Sequence, residues 1–115
     1  MDVKNNKLPD KSKDKAKAPD YSPEYKIYKA MIESSIREYC SVTSPELVMK
    51  LANEIYGMEM DKRGNVKRGA NLENFIALVK KIRWVFGPVA YLLTKKAISG
   101  IVTEGIKRKL PDELG

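Results

Sequence analysis

The groups in this chain best equipped for chemistry are cations, and cations at this density imply anionic partners. Lys62, Arg63, Lys67 and Arg68 fall within seven residues, around Gly64 and just before Gly69. Backbone N–H groups beside glycines can approach phosphates closely, and the four side chains supply charge. The spacing is not GxxxxGK[ST], so this is no P-loop. The competing reading is an exposed turn, for which Gly64-Asn65 is suitable. Further on come Lys80, Lys81, Arg83, Lys95 and Lys96, with Trp84 and Tyr91 interleaved as aromatic faces on which a base could stack. The alternative for Trp84 is partial cover by a neighbouring helix. Lys107-Arg108-Lys109 either contacts phosphate or complements the negative end of a helix.

What is missing points away from catalysis. There is no histidine, which removes the commonest general base and metal ligand. One cysteine, Cys40, excludes an internal disulfide and argues against a thiolate metal site. The segment 61–110 holds only three acids, Asp61, Glu73 and Glu104, too few for the carboxylate cluster of metal-dependent nucleotidyl transfer. No catalytic residue and no tightly bound metal are expected.

The elements that must position these cations read as helices. Ser22-Pro23-Glu24 and Ser44-Pro45-Glu46 each offer a cap, a proline for the first helical position and an acid for the dipole. In the first helix Tyr28, Met31, Ile32, Ser35, Ile36 and Tyr39 keep helical spacing; in the second, Leu47, Val48, Leu51, Ala52, Ile55 and Tyr56 do so before Gly57. Residues 58–70 show no period. Asn71 caps a third helix whose apolar stripe is Leu72, Phe75, Ile76, Val79, Ile82 and Phe86, ended by Gly87-Pro88. A fourth, apolar nearly all round over Val89–Leu93, is predicted to be central and buried. A break near Ser99-Gly100 precedes a fifth helix ending before Pro111. Strand signals are nearly absent.

At about 100° per residue, Arg83 falls inside the third helix's apolar arc, and Lys96 falls among Val89, Leu92 and Leu93. If Gly87-Pro88 reverses the chain, the two cations stand close enough to grip a triphosphate. Otherwise they sit at the bundle rim or pair with Glu33, Glu38 or Glu104. Arg83, Tyr91, Lys95 and Lys96 are therefore the candidate nucleotide-binding residues. Lys62, Arg63, Lys67, Arg68, Lys80, Lys81 and Trp84 are the nucleic-acid-binding candidates.

Charge is segregated along the 115 residues. Residues 20–60 carry four basic and seven acidic side chains, whereas 61–110 carry twelve basic and three acidic. Such one-sided fields meet polyanions, or else form a solvated basic surface. The 43% hydrophobic content suffices for one core. Residues 1–19, with six lysines and almost no large apolar side chain, are expected to be a disordered linker or basic arm, more like a segment within a longer protein than a natural start. The expected fold is all-α, a compact bundle of four to six short helices over 20–115. No apolar run reaches the ~18 residues of a membrane span, and no signal peptide is evident, so a cytoplasmic monomer is expected.

The order of MDVKNNKLPDKSKDKAKAP, two SPE-started helices, KRGNVKRG, the KKIRW helix and an outward-leading KLPDELG resembles the helix-bundle accessory domain that follows the catalytic primase-polymerase domain in replication proteins of archaeal plasmids. The resemblance spans the chain and rests on size, order and composition. It implies a module that helps hold single-stranded template DNA and nucleoside triphosphates, ATP with or without Mg2+, while a catalytic domain of the same polypeptide joins them. The alternatives are a small helix-turn-helix or winged-helix-like DNA-binding regulator, with KRGNVKRG as the wing tip, and a scaffold docking a helicase or polymerase through its acidic half. Against the regulator, the second helix exposes Glu46, Lys50, Asn53 and Glu54, poor equipment for a major groove.

Overall fold

The computed structural model describes residues 23–114; the tail over 1–19 and the Ser22 cap lie outside the described residues. Helix α1 (Pro23–Cys40) buries Tyr28, Met31, Ile32, Ser35, Ile36 and Tyr39, the same six predicted from their spacing. Helix α2 (Pro45–Asn53) starts as its tripeptide dictates, with Ser44 Oγ accepting from the Leu47 N–H at 3.5 Å. A two-stranded antiparallel sheet follows, β1 (Glu59–Met60) and β2 (Val66–Arg68), with Glu59 opposite Arg68 and Met60 opposite Val66. Helix α3 (Leu72–Phe86) is capped by Asn71, whose Oδ1 accepts from Asn74 N–H at 2.8 Å. Helices α4 (Val89–Ile98) and α5 (Glu104–Lys107) complete a mostly helical bundle, and Thr103 caps α5.

One cluster of buried side chains runs from Tyr28 to Leu114. Each large apolar side chain sealed in it contributes ~1.5–3 kcal/mol. Helix α1 is the central element: it packs on α2, α3, α4 and β2, most extensively on α4. That seam also carries polar stitches. Tyr39 and Thr94 share a buried hydrogen bond, and Thr94 donates its own hydroxyl proton to Ala90 O at 2.8 Å, so Tyr39 is the donor to Thr94. Burial is the main reason the Tyr39 phenol is pushed up to about 12. Ser34 Oγ donates to Ala97 O at 2.7 Å.

Four expectations are corrected. Helix α4 is not central: it buries only Ala90, Thr94 and Ile98, and Leu92 is 67% exposed. A ten-residue helix at the bundle edge, contacted by α1 and α3, has only one covered side. Helix α2 ends before Tyr56, which is 97% exposed. Residues 58–70 form a hairpin, whose strands are too short for alternation to show in sequence. KLPDELG folds back, burying Leu110 and Leu114.

Candidate nucleic-acid and nucleotide interface

The hairpin is built from its turn outward. Asp61 Oδ1 accepts from the N–H groups of Arg63 at 2.8 Å and Asn65 at 2.9 Å, and Asp61 N–H donates to Asn65 O at 2.9 Å. The bond from Asn65 N–H, with that from Arg63 and the Arg63 charge, holds the exposed Asp61 carboxyl below its ordinary range. The base is closed by Gly69 at φ +88°, whose Cα hydrogens face Gly57 O so closely that a Cβ would lie 2.2 Å from it. On one flank, Glu33 of α1 accepts from Val66 N–H at 2.8 Å and from Lys29 Nζ at 2.5 Å. Sequence reading placed Glu33 among partners for Arg83 or Lys96; instead it tethers β2 to α1.

This frame presents four exposed cations, Lys62, Arg63, Lys67 and Arg68. Arg68 Nε pairs with Glu59 Oε1 at 2.8 Å across the strands. Among the described residues the side chains of Lys62, Arg63 and Lys67 make no ion pair, so they are available to an incoming phosphate.

The second cluster lies on α3 and α4. Helix α3 buries Phe75, Leu78, Val79 and Ile82. Leu78 was missing from the predicted stripe, and Leu72, Ile76 and Phe86 are only half-buried, so the fully buried face turns away from Arg83. At about 100° per residue, Trp84 then points almost opposite that face. It is 86% exposed, with Lys80 and Lys81 one turn earlier on either side. Lys80 is exposed; Lys81 Nζ reaches Glu54 Oε1 at 3.4 Å.

Gly87, at φ +75°, ends α3 and donates its N–H to Arg83 O at 2.7 Å. The resulting reversal sets Arg83 over Tyr91, with the guanidinium carbon 5.9 Å from the ring centroid. This is a cation–π contact at an exposed site, worth ~0.5–1 kcal/mol. Neither Arg83 nor Lys96 is a charge trapped in an apolar arc. Arg83 is exposed, and Lys96 is 75% exposed and paired with Glu38 Oε2 at 3.3 Å. Lys95 is exposed, one turn beyond Tyr91 and Leu92, with no ion pair among the described residues. Val85, Val89 and Leu92 add exposed apolar surface to the corner.

Sequence reasoning missed Arg37. It lies in the last turn of α1, where it reads as dipole complement. The fold brings it beside Lys62 and Arg63, on a groove between the α1–α2 turn and the hairpin tip. Only the tertiary course of residues 58–70 joins these positions, so no spacing rule could have found them. Among the described residues no three His, Cys, Asp or Glu side chains cluster as metal ligands, and no helix is long and apolar enough to cross a membrane. Comparisons with family models, curated proteins and solved structures find no match.

Proposed function

We propose that this chain binds single-stranded DNA through the outer face of α3 and the hairpin, as the non-catalytic accessory domain of a primase. In this reading it holds template and nucleoside triphosphate for a catalytic primase-polymerase domain of the same polypeptide. Trp84 carries the argument. Burying an indole of about 200 Å² would contribute roughly 4–5 kcal/mol, yet this one stands in solvent between lysines. An outward aromatic with flanking cations matches what single strands require: a face for any base and charge for the backbone. Lys62, Arg63 and Lys67 add phosphate contacts that carry no sequence information.

Nucleotide binding is assigned to the α3–α4 corner. The Arg83 fork lies over Tyr91, its N–H donors uncommitted to any carboxylate among the described residues, and Lys95 adds charge. Lys96 joins only by leaving Glu38, an exchange of one anion for another. Mg2+, if required, arrives with the triphosphate.

The test is a titration of Trp84 fluorescence, the chain having one tryptophan. Single-stranded DNA should quench it saturably and more tightly at low salt, duplex of the same sequence should bind more weakly, and ATP should bind separately. The hairpin, whose tip is basic, favours the winged-helix regulator as a second reading. Tighter binding of duplex than of single strand would select it, and no binding of either would sink both.

A further inference from the structure

We propose that the groove where α1, α2 and the hairpin tip meet holds one unstacked nucleotide of the bound strand, its phosphate at Arg37 and Arg63 and its base against Met49. The inference rests on the single-strand reading above and adds a site to it. Two contiguous clefts of about 340 and 290 Å³ share Pro45, Met49 and Lys62. The first lies at the lower end of the size range of small-molecule sites.

Their charges differ. The first cleft is bordered by Arg37, Lys62 and Arg63 and by no carboxylate, whereas the second is bordered by Glu46 and Asp61 beside Lys62. None of the three cations has an ion pair among the described residues. A phosphate is therefore favoured in the first cleft and a neutral group in the second. That polarity fits a nucleotide laid along the groove and opposes an acidic peptide, whose charges would run its whole length.

The floor suits a base. Met49 spans both clefts, and its polarizable thioether makes favourable contacts with aromatic rings. The backbone that carries Lys62 and Arg63 is also held in place beforehand. Gly64 seats the hairpin tip on the floor: a Cβ there would lie 3.5 Å from Ile36 Cγ2 and 4.0 Å from Met49 Sδ. The Asp61 bonds fix the backbone that carries Lys62 and Arg63. Preorganisation of this kind lowers the ordering cost of binding.

Cys40, the chain's one thiol, lines the first cleft and reports on it. The experiment measures alkylation of Cys40 by iodoacetamide at mildly alkaline pH, because burial pushes this thiol up. It is run with and without a saturating labelled single strand, whose occupancy is read independently by anisotropy. The expected result is at least a tenfold slowing at saturation. Arg37→Gln should restore most of the reactivity and flatten the salt slope of strand binding by about 0.7, one phosphate contact, which is about fivefold in affinity at 0.1 M relative to 1 M salt. A strand that binds but leaves Cys40 equally reactive overturns the groove and leaves the proposed function standing. Protection undiminished in Arg37→Gln overturns it too, as does full protection by ATP alone. A strand that does not bind at all overturns the proposed function first and this inference with it.

Discussion

Replacing Trp84 with alanine should separate binding from folding. The indole is 86% exposed, so only about 30 Å² of a surface of roughly 200 Å² is covered, and its loss costs ~0.7 kcal/mol. Alanine's better helix propensity returns about half of that. A net change of a few tenths of a kcal/mol shifts the melting temperature of a domain this size by less than about 3 °C. Base stacking on an aromatic is worth ~1–3 kcal/mol, so strand affinity should fall about 5- to 150-fold. The indole touches no phosphate, so the slope of log K against log salt should not change. Trp84→Phe keeps a smaller face and should fall between. The assays are thermal melts followed by circular dichroism and anisotropy of a labelled strand across a salt series. A melting point lowered by about 8 °C or more would mean that the ring is packed. Affinity within twofold of wild type would mean that bases do not use it.

The hairpin triple variant Lys62→Gln/Arg63→Gln/Lys67→Gln should do the opposite, flattening the salt slope by about 2 at ~0.7 per contact, while Trp84 is still quenched by a saturating strand; an unchanged slope excludes the hairpin from the interface. Gly69→Ala should cost far more stability than Gly64→Ala. Both have positive φ, at ~1–3 kcal/mol of strain, but only the Gly69 Cβ meets backbone, at 2.2 and 2.7 Å, and equal melting points would refute the close approach. Thr94→Val should cost ~1–3 kcal/mol by urea denaturation because it removes the oxygen that accepts from the buried Tyr39 hydroxyl, leaving only Ser35 beside it, whereas Tyr39→Phe removes only one net hydrogen bond, ~1 kcal/mol. The double variant should cost less than the sum of the two, and strict additivity would mean that the shared bond is absent in solution.

The starts of α2 and α3 and the core of α1 were legible because they depend on local chemistry. A cap, a proline and a 3.6-residue period are decided within a few residues. The azimuth of α3 was readable only to within about a quarter turn. Which of its apolar side chains are sealed depends on what α3 packs on, and counting the half-buried Leu72, Ile76 and Phe86 as core while omitting Leu78 put Arg83 inside the stripe. The misreading of α4 has a different cause. Apolar content over Val89–Leu93 says that a helix can be buried, not that neighbours surround it, and in a domain this small the available cover went to α1. The hairpin was hidden because its strands span two and three residues and its stability lies in Asp61, Gly69 and the Glu33 tether 33 residues away. Arg37 joins Lys62 and Arg63 only through that tertiary arrangement.

Charge segregation along the sequence acquires a sharper meaning once the chain is folded. Three carboxylates of the acidic half reach across to the basic half, Glu54 to Lys81, Glu38 to Lys96 and Glu24 to Lys109, and Glu59 takes Arg68 within the hairpin. These are exposed or half-exposed pairs worth ~0–1 kcal/mol each, too little to hold the fold but enough to bias where a polyanion settles. Among the described residues Lys62, Arg63, Lys67, Lys80, Arg83 and Lys95, on the hairpin and on α3 and α4, are left without such a partner, as are Lys26, Arg37, Lys50, Lys107 and Arg108 elsewhere. A phosphate arriving there displaces only water and counterions. One arriving at Lys81 or Lys96 must first displace a carboxylate. The acidic half thus biases which cations of a strongly basic surface are open, and Lys80, one turn from the exposed Trp84, is among the open ones.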